Sequence, residues 1–120
     1  MLLEGLREQT SRFGEAAYVI TVTADGRPHA VSVTVGWDDD RLTFGAGRTT
    51  LANAAERPDI ALLWPPFEPD GYSLIVDGYA ERRSGPAGDG LAVQPSRAVL
   101  HRSAPGSGPH VSDCVTVLKR

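Results

Sequence analysis

From residue 17 onward the chain alternates. In residues 17–23, Tyr18, Ile20 and Val22 fall on one side and Val19, Thr21 and Thr23 on the other. That is the two-residue period of a strand rich in β-branched side chains. Asp25-Gly26 supplies the pair favoured in a tight hairpin, and Pro28 keeps Arg27 extended. The returning strand sets Val31, Val33, Val35 and Trp37 on a core face, with Ala30, Ser32, Thr34 and Gly36 opposite. After the acidic tip Asp38-Asp39-Asp40, residues 41–46 read as the third strand of a meander. Three adjacent carboxylates in a turn point different ways, so the tip reads as solvated rather than as a calcium loop.

The period changes on both sides of this meander. Leu2, Leu3 and Leu6 recur at helical spacing, so residues 2–11 form a short amphipathic helix. Gly45-Ala46-Gly47-Arg48-Thr49-Thr50 leaves a strand, turns on two glycines and enters a second helix. Thr49 is its expected N-cap, and Leu51, Ala54 and Ala55 form its apolar face. Pro58 ends that helix. The forked cation of Arg48, the hydroxyls of Thr49 and Thr50 and the free amides of a helix start together make a seat for an anion; a plain capped helix gives the same pattern.

Residues 60–64 are a continuous apolar run that suits a buried strand, and the proline-rich 65–71 segment is a stiff loop. Residues 72–82 alternate again, with Leu74, Val76 and Ala80 against Ser73, Ile75, Asp77 and Tyr79. Gly78 marks a bulge or a close backbone approach. Residues 84–90 read as a turn-rich link. Residues 91–101 read as extended with Pro95 at an edge or bulge, 104–109 as a loop, and the stretch through Val115, Val117 and Leu118 as a last strand. Trp64, Phe67 and Tyr72 around the proline loop either stack on a ring or fill core and interface, the latter being the simpler reading. The whole is a single domain, 1–120, mainly β, with an antiparallel barrel or sandwich architecture.

Composition narrows the function. With 120 residues and a formal net charge of -3, the chain has no basic block for nucleic acid. The one cysteine, Cys114, lies in an apolar run and is expected to be a buried thiol with no disulfide or zinc partner. His29, His101 and His110 lack metal spacing, so no metal site is expected. Early charge in the N-terminal segment argues against a signal peptide, no apolar run reaches membrane-span length, and a cytoplasmic location follows by default.

The ordered set Thr21-Val22-Thr23-Ala24-Asp25-Gly26-Arg27-Pro28-His29-Ala30-Val31-Ser32-Val33, Leu42-Thr43-Phe44, Asn53 before Arg57-Pro58, Ile60-Ala61-Leu62-Leu63-Trp64 and Val76-Asp77-Gly78-Tyr79-Ala80 resembles the pyridoxamine 5'-phosphate oxidase-like, FMN-binding split-barrel family. The resemblance covers residues 15–82. It implies a six-stranded antiparallel split β-barrel that forms a homodimer with flavin mononucleotide at the interface. Residue by residue, it implies that His29, Ala30, Val31 and Ser32 line the isoalloxazine. Phe44 and Gly45 approach the ring or phosphate, Arg48, Thr49 and Thr50 hold the phosphate, and Ser73 reaches the ring. The family's oxidases carry a serine, an arginine and a lysine across positions 48–50, and the lysine is missing here. The basic residues they use near positions 29 and 34 are replaced by His29 and Thr34, and their C-terminal substrate motif has no match. The resemblance therefore implies a relative of the oxidase: an FMN-binding oxidoreductase acting on a small molecule. A deazaflavin-dependent reductase and a non-enzymatic dimeric module without cofactor are the alternatives. No catalytic triad or acid/base pair appears, as expected where a cofactor carries the chemistry.

Overall fold

The computed structural model describes residues 2–86, 88–103 and 112–119. The elements are α1 (Leu2–Phe13), β1 (Ala16–Val22), β2 (Pro28–Thr34), β3 (Gly36–Asp38), β4 (Arg41–Gly45), α2 (Arg48–Glu56), β5 (Asp59–Trp64), β6 (Ser73–Gly85), β7 (Gly88–Ser103) and β8 (Ser112–Lys119). The loop expected over 104–109 lies outside the described residues.

One antiparallel sheet carries the fold, in the order β2-β1-β5-β6-β7-β4-β3, with β8 added to β7. The two ends of that order, β2 and β3, are consecutive in the chain and separated by Val35 alone. The strand expected over Val31 to Trp37 therefore turns a corner. Its first half pairs with β1 and its second half with β4. Residues 17–46 are thus not a three-strand meander, because the chain closes the sheet on itself at Val35. That residue is buried, and its N–H donates to Glu15 O at 2.7 Å, which anchors the corner. Splitting this strand raises the strands read from the residues to eight, where the resemblance implied six.

Residues 84–90, expected as a link, instead belong to a long hairpin. β6 and β7 pair from Ser73↔His101 to Gly85↔Gly88. Their register shifts between Asp77 and Gly78, and Gly78 faces Pro95. Pro95 has no N–H to give a ladder, so the bulge is where it is tolerated. A Cβ on Gly78 would lie 2.5 Å from Val93 Cγ1 and 2.6 Å from Gln94 O, so glycine is required there.

The core runs through Leu6, Val19, Leu42, Leu62, Trp64, Leu74, Val76, Leu91, Val93 and Leu118. Each helix closes one end of the barrel. At one end, α1 is pinned by two indoles: Trp37 Nε1 donates to Thr10 Oγ1 at 3.0 Å and Trp64 Nε1 to Gly14 O at 2.8 Å. At the other, Asn53 Nδ2 in α2 donates to Thr21 Oγ1 at 3.0 Å, both buried, and Arg57 Nε donates to Val22 O at 2.8 Å. On β2, Val31 points inward but stays 36% exposed, since no strand covers it on its free side. Cys114 is exposed on β8, not buried. β8 lies on the rim of β7, and its cysteine falls on the side away from the core.

Candidate functional site

The glycine hinge at residues 45–47 delivers α2. Gly45 is the last residue of β4 and Gly47, not Thr49, is the N-cap, with extended backbone (φ -79, ψ 176) and no side-chain cap bond. The first helical bond runs from Leu51 N–H to Gly47 O at 3.0 Å. The amides of Arg48, Thr49 and Thr50 precede it and have no helical acceptor. Arg48 and Thr49 are exposed, whereas Thr50 is buried. Thr50 packs on the face that the helix turns to the barrel, and its amide is among the three that precede the first helical bond. Ala54 is buried, but Ala55 faces solvent. The helix turns its Thr50–Asn53–Ala54 face to the barrel, one step out of phase with the face expected from the sequence.

An open cleft of 420 Å³ begins at this helix start, lined by Ala46, Arg48, Leu51, Arg82 and Asp89 among others. Arg82 Nη2 donates to Asp89 Oδ2 at 2.8 Å and Ser84 Oγ donates to Asp89 Oδ1 at 2.9 Å. Ala46 N–H donates to the Asp89 carbonyl at 3.2 Å, which ties the hinge to β7. Arg82 is therefore neutralised within the chain. No ion pair or hydrogen bond is assigned to the Arg48 guanidinium among the described residues, which leaves it as the cation of this cleft open to an external anion.

The hydrogen bonds from Arg82 and Ser84, with the Arg82 charge, hold the Asp89 carboxyl below its ordinary value of 3.8. A depressed folded-state pKa contributes stability in full above that ordinary value and loses it as pH falls through the depressed one. The difference in thermal stability between wild type and Asp89→Asn should therefore be constant at neutral pH and shrink toward zero in acid. A difference that grew in acid would contradict the assignment.

The other expected site residues divide by position. His29 lies directly across from Thr21, which Asn53 of α2 bonds, and its Nδ1 is buried with no partner among the described residues. Ala30, Val31 and Ser32 continue along β2. Phe44 is buried at the end of β4 beside Gly45. All of these share the α2 end or the β2 edge leading from it. Ser73 does not, because it begins β6 at the α1 end, across from His101. From Ser73 to Arg82 the strand covers about 30 Å. Arg82 and Asp89 were not foreseen. They meet because β6 and β7 stay paired as far as Gly85↔Gly88, and the closely spaced Gly85, Pro86 and Gly88 were the signal for it.

No family model matches the chain. Its structure is similar to that of a candidate pyridoxamine 5'-phosphate oxidase from Listeria innocua, with a TM-score of 0.68, 14% identity and coverage of 83% of this chain and 98% of that one. It is also similar to an F420 reductase, with a TM-score of 0.56, 21% identity and coverage of 69% and 87%. The fold is thus the split barrel of the pyridoxamine 5'-phosphate oxidase-like proteins. In sequence, two uncharacterised proteins from Mycobacterium bovis and Mycobacterium tuberculosis are each 39% identical, with 82% of this chain and 82% of each relative covered. The chain belongs to one family with them.

Proposed function

We infer that the protein is a flavin-binding homodimer and a flavin-dependent oxidoreductase acting on a small molecule, with FMN as the cofactor. The observation that carries this reading is the Arg48 guanidinium, with no acceptor among the described residues, beside three amides of a helix start that no side chain caps. Charge-assisted hydrogen bonds of this kind suit a terminal phosphate. The orphaned Nδ1 of His29 supports a polar ligand at the same end. Arg48 and the amides of Thr49 and Thr50 would hold the phosphate. His29, Ala30, Val31, Ser32, Phe44 and Gly45 would line the path of the ring. When bound, a flavin supplies hydride or electron transfer from its own ring, and the protein supplies binding and orientation.

Ser73 could join this site only from a second copy, since within one chain it stands at the far end of β6. The outer face of the sheet supports such pairing. Tyr18, Ile20 and Val22 of β1, Leu63 of β5 and Ile75 and Tyr79 of β6 line up through the registers Tyr18↔Leu63 and Leu63↔Ile75. Tyr18 and Tyr79 are 45% and 50% exposed, so the single chain leaves apolar area for a partner to cover.

Freshly purified protein should be yellow or take up FMN, and sediment as a dimer. Arg48→Ala should weaken FMN binding roughly tenfold to a hundredfold, as expected for losing one charged hydrogen-bond donor to phosphate. Fluorescence quenching of FMN measures it. Unchanged affinity would remove the phosphate from this seat. The absence of a lysine at positions 48–50 and the likeness to an F420 reductase favour a deazaflavin cofactor as the second reading. Titrating FMN and F420 against one preparation separates the two. Binding of neither would leave a dimeric barrel without cofactor.

A further inference from the structure

Two arginines, Arg48 and Arg82, line the cleft at the start of α2, and they share it with one carboxylate, Asp89. Arg48 leads the helix, whereas Arg82 and Asp89 belong to the β6–β7 hairpin. Arg83, the next residue, lies on the other face of β6 and is engaged by Asp38 at 3.3 Å. Arg82 is thus the cation that the hairpin brings to the cleft.

The Arg82–Asp89 pair is easily exchanged. Its side chains are 62% and 44% exposed, and an ion pair so open to water adds little to folding. Asp89 also has other holds. Ser84, directly across the hairpin, donates Oγ–H to Asp89 Oδ1 at 2.9 Å, and the Asp89 carbonyl accepts the Ala46 N–H. Neither bond involves Arg82, so its departure leaves the carboxylate with a donor and the hinge tied to β7. Hydrogen bonds from Arg82 and Ser84 hold the Asp89 carboxyl below its ordinary range, so it is charged at neutral pH. A guanidinium, for its part, meets a phosphate through two parallel charge-assisted bonds.

We propose that Arg82 changes partner when the cleft fills, leaving Asp89 for a phosphate dianion that it shares with Arg48, and that Asp89 thereby limits the affinity of the seat. The inference rests on the flavin reading above and deepens it, because it assigns the group taken as a dianionic phosphomonoester. Asp89 acts twice: it competes with the ligand for Arg82, and its charge repels the ligand across the cleft. If the pair only stapled the hairpin, losing either half would loosen the seat in the same way. Partner exchange gives the two halves opposite effects.

The test is a fluorescence titration of the full chain with FMN, and with riboflavin, which has the ring and no phosphate, for comparison. Asp89→Asn should tighten FMN roughly fivefold, the order expected for removing one like charge from a solvated cleft, although it lowers the melting temperature. Arg82→Gln should weaken FMN roughly fivefold, and the double variant should lack the gain seen in Asp89→Asn. Riboflavin should show none of these changes. The exchange is overturned if Asp89→Asn binds FMN no more tightly than wild type, if the two single substitutions shift affinity in the same direction, or if riboflavin follows FMN. Each of those results, with FMN bound by wild type, leaves the flavin reading standing. Uptake of FMN by neither wild type nor Asp89→Asn removes both.

Discussion

Gly90→Ala should cost about 3 kcal/mol or more in stability, the upper range for overpacking. Gly90 pairs with Gly45 where β7 meets β4. A Cβ there would stand 2.2 Å from Phe44 O and 3.1 Å from Gly45 Cα. Both are backbone atoms, so no side chain can swing aside, and the strands must separate. Separation would displace the end of β4, the hinge at residues 45–47 and the start of α2. Residual folded protein should therefore also bind anions at Arg48 less well. Gly45→Ala is the control. Its added Cβ meets nothing within 4 Å, so its effect should stay within about 1 kcal/mol. Denaturant midpoints for the two variants decide the matter; equal midpoints would refute this account.

Those facing glycines show where the alternation of residues stopped being informative. Residue period places side chains on faces of a strand, but it does not say which strands are neighbours. The run from Val31 to Trp37 alternates without a break, and nothing in it marks Val35 as a corner. The corner exists because β1 and β4 compete for the two halves of one strand, a tertiary effect. The elements themselves were legible: α1, β1, α2 ending before Pro58, and the bulge at Gly78. Pro95 was placed correctly at an edge or bulge because a residue lacking an N–H has few places in a sheet. The 84–90 hairpin was missed because glycine and proline signal a turn without saying that strands flank it closely on both sides.

The candidate site was legible in part for a similar reason. Two glycines before Arg48 announce a hinge and a helix start, and both are present. Which side chain caps the helix depends on the phase of the first turn, and the structure moves that phase by two residues, to Gly47. With a glycine cap the amides stay free, and Thr50 turns into the barrel. The seat therefore rests on Arg48 and backbone, with less side-chain help than the sequence suggests. The Arg82–Asp89 pair was invisible because it forms only across the β6–β7 hairpin. It matters nonetheless, since it removes one cation from the cleft and leaves Arg48.

At the far end of the barrel, Trp64→Ala should destabilise the protein by about 3–5 kcal/mol, the range for emptying a large aromatic site in a core. Trp64 is 1% exposed at the end of β5, and its Nε1–H holds the Gly14 carbonyl where α1 leads into β1. Two losses are combined, a cavity and a carbonyl left without its donor. Trp64→Phe separates them, because it keeps most of the packing and removes the hydrogen bond; about 1–2 kcal/mol is expected for it. Equilibrium denaturation measures both, with Trp37 left as the fluorescent reporter. Because Trp64 acts on α1 and the proposed phosphate seat lies at the start of α2, affinity for FMN among folded Trp64→Phe molecules should match wild type. A parallel loss of both would mean that the two helices do not close the barrel independently, and that the end holding Arg48 takes its shape from the end holding Trp64.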